Sequence, residues 1–321
     1  MRSNETGGLW FIIISSCAFG AVIIATMIIV SQANLLRPAR ANVPSIATEA
    51  YGRRLVMQTA EMLGPDVKDP SLRYNGSRLN CASCHLDVGR EPGTLTLLLT
   101  IEHYPRFSGR VGAKTDIEDR INECMTRSMN GRALPRHSPE MIAMASYLRS
   151  LGGINQEMGE SLRKAHEPAA FKTPNRAASP EAGQKVFTDR CAECHGMNGQ
   201  GLYATTDRQH GYVFPPLWGP DSFNDGAGMH RVLTAARFIK ARMPLGQPDL
   251  TDDETFDVAA YVNSQPRLHM ENLEADYPDR KTKPVDNGYG PFADSFPLKQ
   301  HQYGPFGPIE AYYKAQKKAT K

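Results

Sequence analysis

The sequence predicts a mainly α chain. Two tandem copies of one small helical module stand behind a transmembrane helix and ahead of an extended C-terminal strap. Three observations carry this reading. Leu9 to Val30 is a run of 22 residues without a charge. The pentapeptides Cys81-Ala82-Ser83-Cys84-His85 and Cys191-Ala192-Glu193-Cys194-His195 share one pattern. Each follows a helix-like segment and precedes a capped helix bearing Tyr147 or Tyr261, 63 and 67 residues beyond the second cysteine. A length of 321 residues suits about two domains. With 40% apolar and 22% charged residues the chain is neither disordered nor polytopic in a membrane. Its net charge of +3 gives no reason to expect nucleic acid as a partner.

The uncharged run is the first element. At 1.5 Å per residue it makes a helix of about 33 Å, enough to span a bilayer core. It exceeds the apolar core of about 7–15 residues in a cleaved signal peptide. Ala39-Arg40-Ala41 resembles a cleavage site but lies well past the run. A retained anchor is therefore expected over residues 9–30, with Cys17 buried in it. The expected layout is anchor and spacer over 1–44, first module over 45–160, linker over 161–175, second module over 176–270 and strap over 271–321.

The two pentapeptides are C-x-x-C-H sites, the signature of covalent c-type haem attachment. Two thiols separated by two residues can reach both vinyl groups of one porphyrin, and the next side chain then falls under the iron. A redox dithiol has no need of the histidine. A single four-thiolate zinc site would require pairs 110 residues apart to converge. Two haems are thus expected, bound through Cys81, Cys84, Cys191 and Cys194, with His85 and His195 as proximal iron ligands. Because such haems are attached outside the cytoplasm, the bulk of the chain should face the periplasm.

The helices around each site have their own signals. Ala50 through Gly64 and Pro180 through Arg190 precede the two sites. Ser138-Pro139-Glu140 offers an N-cap, a proline at the first helical position and an acid in the first turn. Thr251-Asp252-Asp253-Glu254 reads as a capping box, and so does Thr115-Asp116-Ile117-Glu118. Helix, attachment site, loop, ligand, helix is the order of a small cytochrome c domain, so the modules are read as two such domains in tandem. Beyond them, Tyr289-Gly290-Pro291-Phe292 recurs as Tyr303-Gly304-Pro305-Phe306, with little apolar periodicity. A strap across a domain surface is expected there, ending in a solvated lysine-rich tail.

The sixth ligands should differ between the two haems, and they decide whether a haem carries electrons or performs chemistry. For the second haem Met243, stiffened by Pro244, is preferred to Met229. Met197 lies too close to His195 to reach the other face, and Met270 lies beyond the closing helix. In the first domain the equivalent slot holds a lone thiol, Cys124, 40 residues after Cys84. Arg120, Cys124 and Ser128 fall nearly in line on the expected helix. Arg110, Arg120, Arg127 and Arg132 are close in sequence, and nearby cations favour a thiolate. Met125, Met129, His103 and His137 are rival ligands. A thiol among guanidinium groups beside a haem suits an anionic, sulfur-reactive substrate.

At this point Arg110, Arg120-Ile121-Asn122-Glu123-Cys124 and Arg127-Ser128-Met129-Asn130-Gly131 resemble the active-site segment of the dihaem thiosulfate dehydrogenases. Ser138-Pro139-Glu140-Met141, Pro216-Leu217-Trp218-Gly219, Gly226-Ala227-Gly228-Met229 and Met243-Pro244-Leu245-Gly246 are also similar. The resemblance spans about residues 45–270. It implies that two thiosulfates couple to tetrathionate, that Cys124 is an axial ligand of the active haem, and that Arg110, Arg120 and Ser128 line its pocket. Electrons would pass through a His/Met haem to an external acceptor, such as a soluble cytochrome c or a membrane redox partner. Some members carry a ligating lysine beside the second haem's methionine; here that neighbour is Arg242, which cannot ligate iron. Three alternatives remain at this level. They are a membrane-anchored dihaem electron carrier without catalysis, a dihaem peroxidase, and a SoxA-like sulfur-transfer cytochrome.

Overall fold

The computed structural model describes residues 48–91, 93–157 and 170–319. The expected anchor at 9–30 lies outside the described residues. Among those described, no helix is long and apolar enough to cross a membrane. The span Ile46–Lys321 forms one compact unit, within which the two modules are recognisable by their helix pairs.

The first module opens with α1 (Thr48–Met57) and α2 (Thr59–Leu63). The sequence suggested one continuous helix here. The break falls at Gln58, and the hydroxyl of Thr59 just beyond it accepts the Cys81 N–H at 3.0 Å. The interruption thus places an acceptor for the first attachment loop. After that loop come a short antiparallel hairpin, β1 (Arg106–Ser108) and β2 (Ala113–Thr115), and then α3 (Ile117–Glu123). The N-cap of α3 is Asp116, reciprocally capped with Asp119, and not Thr115. Thr115 is held in β2 opposite Arg106, so its backbone is committed to the hairpin. The helix expected through Arg120, Cys124 and Ser128 is likewise not α throughout: Cys124–Ser128 forms a π-helical turn, closed by Met129 N–H to Cys124 O at 2.9 Å. Such widened turns are frequent at functional sites. The last helix of the module, α4 (Pro139–Glu157), starts as its sequence signals suggest, with the Ser138 hydroxyl accepting the Met141 N–H.

The second module repeats the plan with α5 (Pro180–Arg190), α6 (Ala192–His195), strands β3 (Leu202–Tyr203) and β4 (Tyr212–Phe214), α7 (Val232–Arg242) and α8 (Asp252–Ser264). Thr251 and Glu254 form the anticipated capping box of α8.

The repeat is clearest where the first and last helices of each module cross. A Cβ added at Gly52 of α1 would lie 2.0 Å from Ala143 O and 2.9 Å from Tyr147 Cβ of α4. A Cβ at Gly183 of α5 would lie 1.9 Å from Asp257 O and 2.9 Å from Tyr261 Cβ of α8. The similar tyrosine spacings seen in the sequence mark this crossing: glycine admits the close approach and tyrosine packs beside it. Gly52→Ala must push α1 off α4 and should cost about 1–3 kcal/mol, the usual range for overpacking. Thermal unfolding of the haem-loaded protein checks this; an unchanged Tm contradicts the crossing.

The segment after residue 270 departs from a simple strap. It crosses the junction of the modules as short turns, then forms α9 (Leu298–Tyr303) and α10 (Gly307–Ala319). Phe306 and Ile309 are fully buried in the second module's core with Val232, Ala236, Phe256 and Ala260. Ile309 and Tyr313 stand four residues apart, a helical spacing too short to register as a pattern by itself. The lysine-rich tail is thereby helical, with Lys314, Lys317 and Lys318 on the exposed part of α10. The described end of the expected linker also packs closely: Phe171 meets Phe256, and Arg176, where the second module begins, forks onto Asp257 at 2.7 and 2.9 Å.

Candidate active site

The first attachment loop is pinned through its backbone. Thr59 Oγ1 receives Cys81 N–H, Asn80 Oδ1 receives Ala60 N–H, and His85 Nδ1 lies 2.7 Å from Leu95 O. The last contact fixes the imidazole with Nδ1 as the donor and leaves Nε2 for a metal, the usual arrangement of an outer partner orienting a ligating histidine. The second site repeats it, with His195 Nδ1 at 2.8 Å from Pro215 O. Burial lowers both histidines, favouring the neutral form that can ligate.

Beside the first loop lies a cavity of about 560 Å³. Cys81, Cys84 and His85 line it, and so do Arg120, Cys124 and Ser128 from α3 and its π turn. Burial pushes the Cys81 thiol up to about 12 and the Cys84 thiol up to about 11, and the sulfur of Cys124 adds to both. Three sulfurs therefore share one small space. Thiols held this far above neutrality are not poised as thiolates; as covalent thioethers they need no charge. One part of the remaining wall is apolar, with Val56, Leu79, Leu97, Met144 and Leu148. The donor set, the oriented imidazole and the apolar wall all fit a c-type haem.

Charge surrounds the opposite side. The sulfur of Cys124 is the first cause that keeps Arg120 firmly protonated, and Glu123 Oε2 accepts from Arg120 at 3.2 Å. Arg110, also in the wall, is buried yet stays charged because Tyr277, Tyr289 and Asp276 offset its desolvation. Arg132, weighed with this group in the sequence, lies elsewhere, stacked 4.1 Å over the Tyr74 ring. Among the rival ligands, Met125 and Met129 line the cavity, whereas His103 and His137 are exposed and do not. Met229 of the second module also lines this first cavity; Met243 does not. Met243 stands half-buried at the C-terminal end of α7, and Met197 is 68% exposed. Arg242 reaches Glu91 of the first module at 3.0 Å.

Sequence reading missed how much of the cavity comes from elsewhere. Asp276, after α8, accepts from Arg110 at 2.8 Å and from Arg127 at 2.7 Å, and Tyr289 donates to it at 2.6 Å. Both arginines also donate to Gly226 O of the second module. Asn224 donates to Thr126 O and to Asn130 Oδ1, so the loop before α7 rests on the π turn. Tyr277, Arg231 and Thr234 complete the wall. The only hint in the sequence was the Gly226-Ala227-Gly228-Met229 segment; nothing local marked Asp276 or Arg231.

With this geometry in place, comparison with known proteins is informative. The family described as SoxA/TsdA, cytochrome c domain, matches residues 74–153, and cytochrome c matches residues 180–266. These two cytochrome c domains indicate two covalently bound c-type haems. A thiosulfate dehydrogenase of Psychrobacter arcticus is 40% identical over 64% of this chain and 61% of its own length. One of Allochromatium vinosum is 38% identical over 67% of this chain and 77% of its own. In structure the chain resembles the thiosulfate dehydrogenase TsdBA of Marichromatium purpuratum in its as-isolated form, with a TM-score of 0.64 and 30% identity. That match covers 83% of this chain and 54% of the other, so the chain spans about half the length of this structural relative. Family resemblance, paired cytochrome domains and the cysteine-lined cavity agree: the chain belongs to the thiosulfate dehydrogenase family.

Proposed function

We propose that this protein oxidises thiosulfate, joining two anions into tetrathionate in the Cys124 cavity. One observation carries the reading: Cys124, Arg120 and Ser128 line the same cavity as Cys81, Cys84 and His85. A simple electron carrier has no use for a thiol and a guanidinium wall beside its haem. Cys124, with His85, would hold the iron of the first haem, and Met243, with His195, that of the second. The presence of Met229 in the first cavity supports choosing Met243.

The chemistry balances without protons. The Cys124 thiolate, free of metal at this step, joins the sulfane sulfur of one thiosulfate, giving an S–S bond and releasing two electrons. The two haems that Cys81, Cys84 and His85 and Cys191, Cys194 and His195 would hold would supply two one-electron sinks for this oxidation, with an external acceptor as its destination. A second thiosulfate then attacks that sulfur, tetrathionate leaves, and the Cys124 thiolate is restored. Two dianions at ~4 Å repel by about 4 kcal/mol even in water. Arg120, with Arg110 behind it, offsets that repulsion, and the Ser128 hydroxyl can donate to a sulfonate oxygen. We also propose that the haem-bearing part faces the periplasm, because c-type haems are attached outside the cytoplasm, with the uncharged run 9–30 as its membrane anchor.

The test is direct. The haem-loaded protein, given thiosulfate and an oxidised cytochrome c or ferricyanide, should reduce the acceptor and form one tetrathionate per two thiosulfates. Reduction of the acceptor with no tetrathionate formed would reject the coupling.

A further inference from the structure

We propose that Arg231, at the start of α7, binds the second of the two reacting anions, so that the second module supplies half of the substrate site. This rests on the coupling reading above. Arg106, Arg110, Arg120, Arg127 and Arg231 line the cavity. Arg106 is exposed and lies over the Tyr104 ring. Arg110, Arg120 and Arg127 have carboxylate partners within hydrogen-bond reach: Asp276 at 2.8 and 2.7 Å for Arg110 and Arg127, and Glu123 at 3.2 Å for Arg120.

Arg231 differs. Its nearest carboxylate, Asp286, is 3.8 Å from Nε, beyond a hydrogen bond. The other oxygen of that carboxylate, Oδ2, accepts the Leu233 N–H at 3.1 Å. One terminal nitrogen of Arg231 donates to Thr234 Oγ1 at 2.5 Å. Its Nε is buried and, among the described residues, has no hydrogen-bond partner. A buried guanidinium short of acceptors is costly, and an oxyanion entering the cavity can supply one. Thr234, on the same wall, places a hydroxyl beside it.

The division of labour follows from chain geometry. Cys124, Arg120 and Ser128 come from one stretch of the first module and serve the thiosulfate whose sulfane sulfur meets the cysteine. The second thiosulfate must approach that sulfur from outside this stretch, with its sulfonate on a cation that is not already spent. Arg231 is that cation. An oxyanion at Arg231 could also be a carboxylate of the first haem, and the experiment separates the two sources.

The full haem-loaded chain is reduced electrochemically, so that it can accept no electrons, and titrated with thiosulfate by calorimetry. The wild type should bind two thiosulfates and Arg231→Gln one. In turnover with the oxidised protein, the half-saturating thiosulfate concentration should rise at least tenfold in Arg231→Gln, about 1.4 kcal/mol. Arg231→Lys should recover part of the loss, and the first haem's spectrum and potential should not move. Two sites in Arg231→Gln with unchanged half-saturation overturn the proposal. A shifted potential of the first haem with unchanged thiosulfate stoichiometry overturns it too, and assigns the guanidinium to the haem carboxylate. Failure of the wild type to oxidise thiosulfate is a separate result: it removes the coupling reading, and this proposal falls with it.

Discussion

Cys124→Ala is expected to abolish thiosulfate oxidation, lowering turnover at least about a thousandfold, or about 4 kcal/mol of transition-state stabilisation. Both haems should remain attached, because Cys81, Cys84, Cys191 and Cys194 are untouched. The side chain is half-buried on a turn held by backbone bonds, including Met129 N–H to Cys124 O, that the substitution leaves in place, so the variant should fold. Cys124→Ser tests the sulfur more narrowly: a hydroxyl of similar size cannot form the S–S intermediate and should be equally inactive. Steady-state turnover with an external acceptor, together with a haem-stained gel, measures both parts. Retained turnover in either variant rejects Cys124 as the nucleophile.

The second large effect is on stability. Among the described residues Asp276 is the one carboxylate bridging Arg110 and Arg127, and its side chain is only 9% exposed. Asp276→Ala leaves two nearly buried guanidiniums facing each other. Losing one partner of a buried ion pair costs about 3–5 kcal/mol. For a chain of this size the Tm should fall by on the order of 10 °C. Asp276→Asn keeps the shape and one acceptor, and should lose less. Because Arg110 also loses its anchor, Asp276→Asn should weaken thiosulfate use while leaving the haem spectrum unaltered. A Tm within a degree of the wild type for Asp276→Ala would show that the arginines are held by Gly226 O and the cavity wall alone.

These two residues also show where sequence reading reaches and where it stops. The cysteines and histidines were legible because haem attachment demands a fixed local spacing. The capping box at Thr251 and the cap at Ser138 were legible because a helix start is decided within four residues. Thr115 misled by one position, since the hairpin with Arg106 claims its backbone and leaves the cap to Asp116. The π turn at Cys124 was invisible, as its residues suit an α-helix equally well. Asp276 lies 166 residues from Arg110 and 149 from Arg127, and no local pattern announces a contact of that range. The same holds for Arg231. Its neighbours Val232 and Leu233 mark a helix that packs in the second module, while its own side chain serves the first. The end of the chain was read as strap and tail because Phe306 and Ile309 are too few to form a periodic pattern; their burial becomes clear only against α7 and α8.

The account depends most on Cys124 binding the iron of the first haem. An electron-paramagnetic-resonance spectrum of the oxidised, full-length protein tests this directly. The expected result is a low-spin ferric signal of thiolate–histidine ligation beside a methionine–histidine one, with the first signal lost in Cys124→Ala. Two methionine–histidine signals, both unchanged in Cys124→Ala, would contradict it.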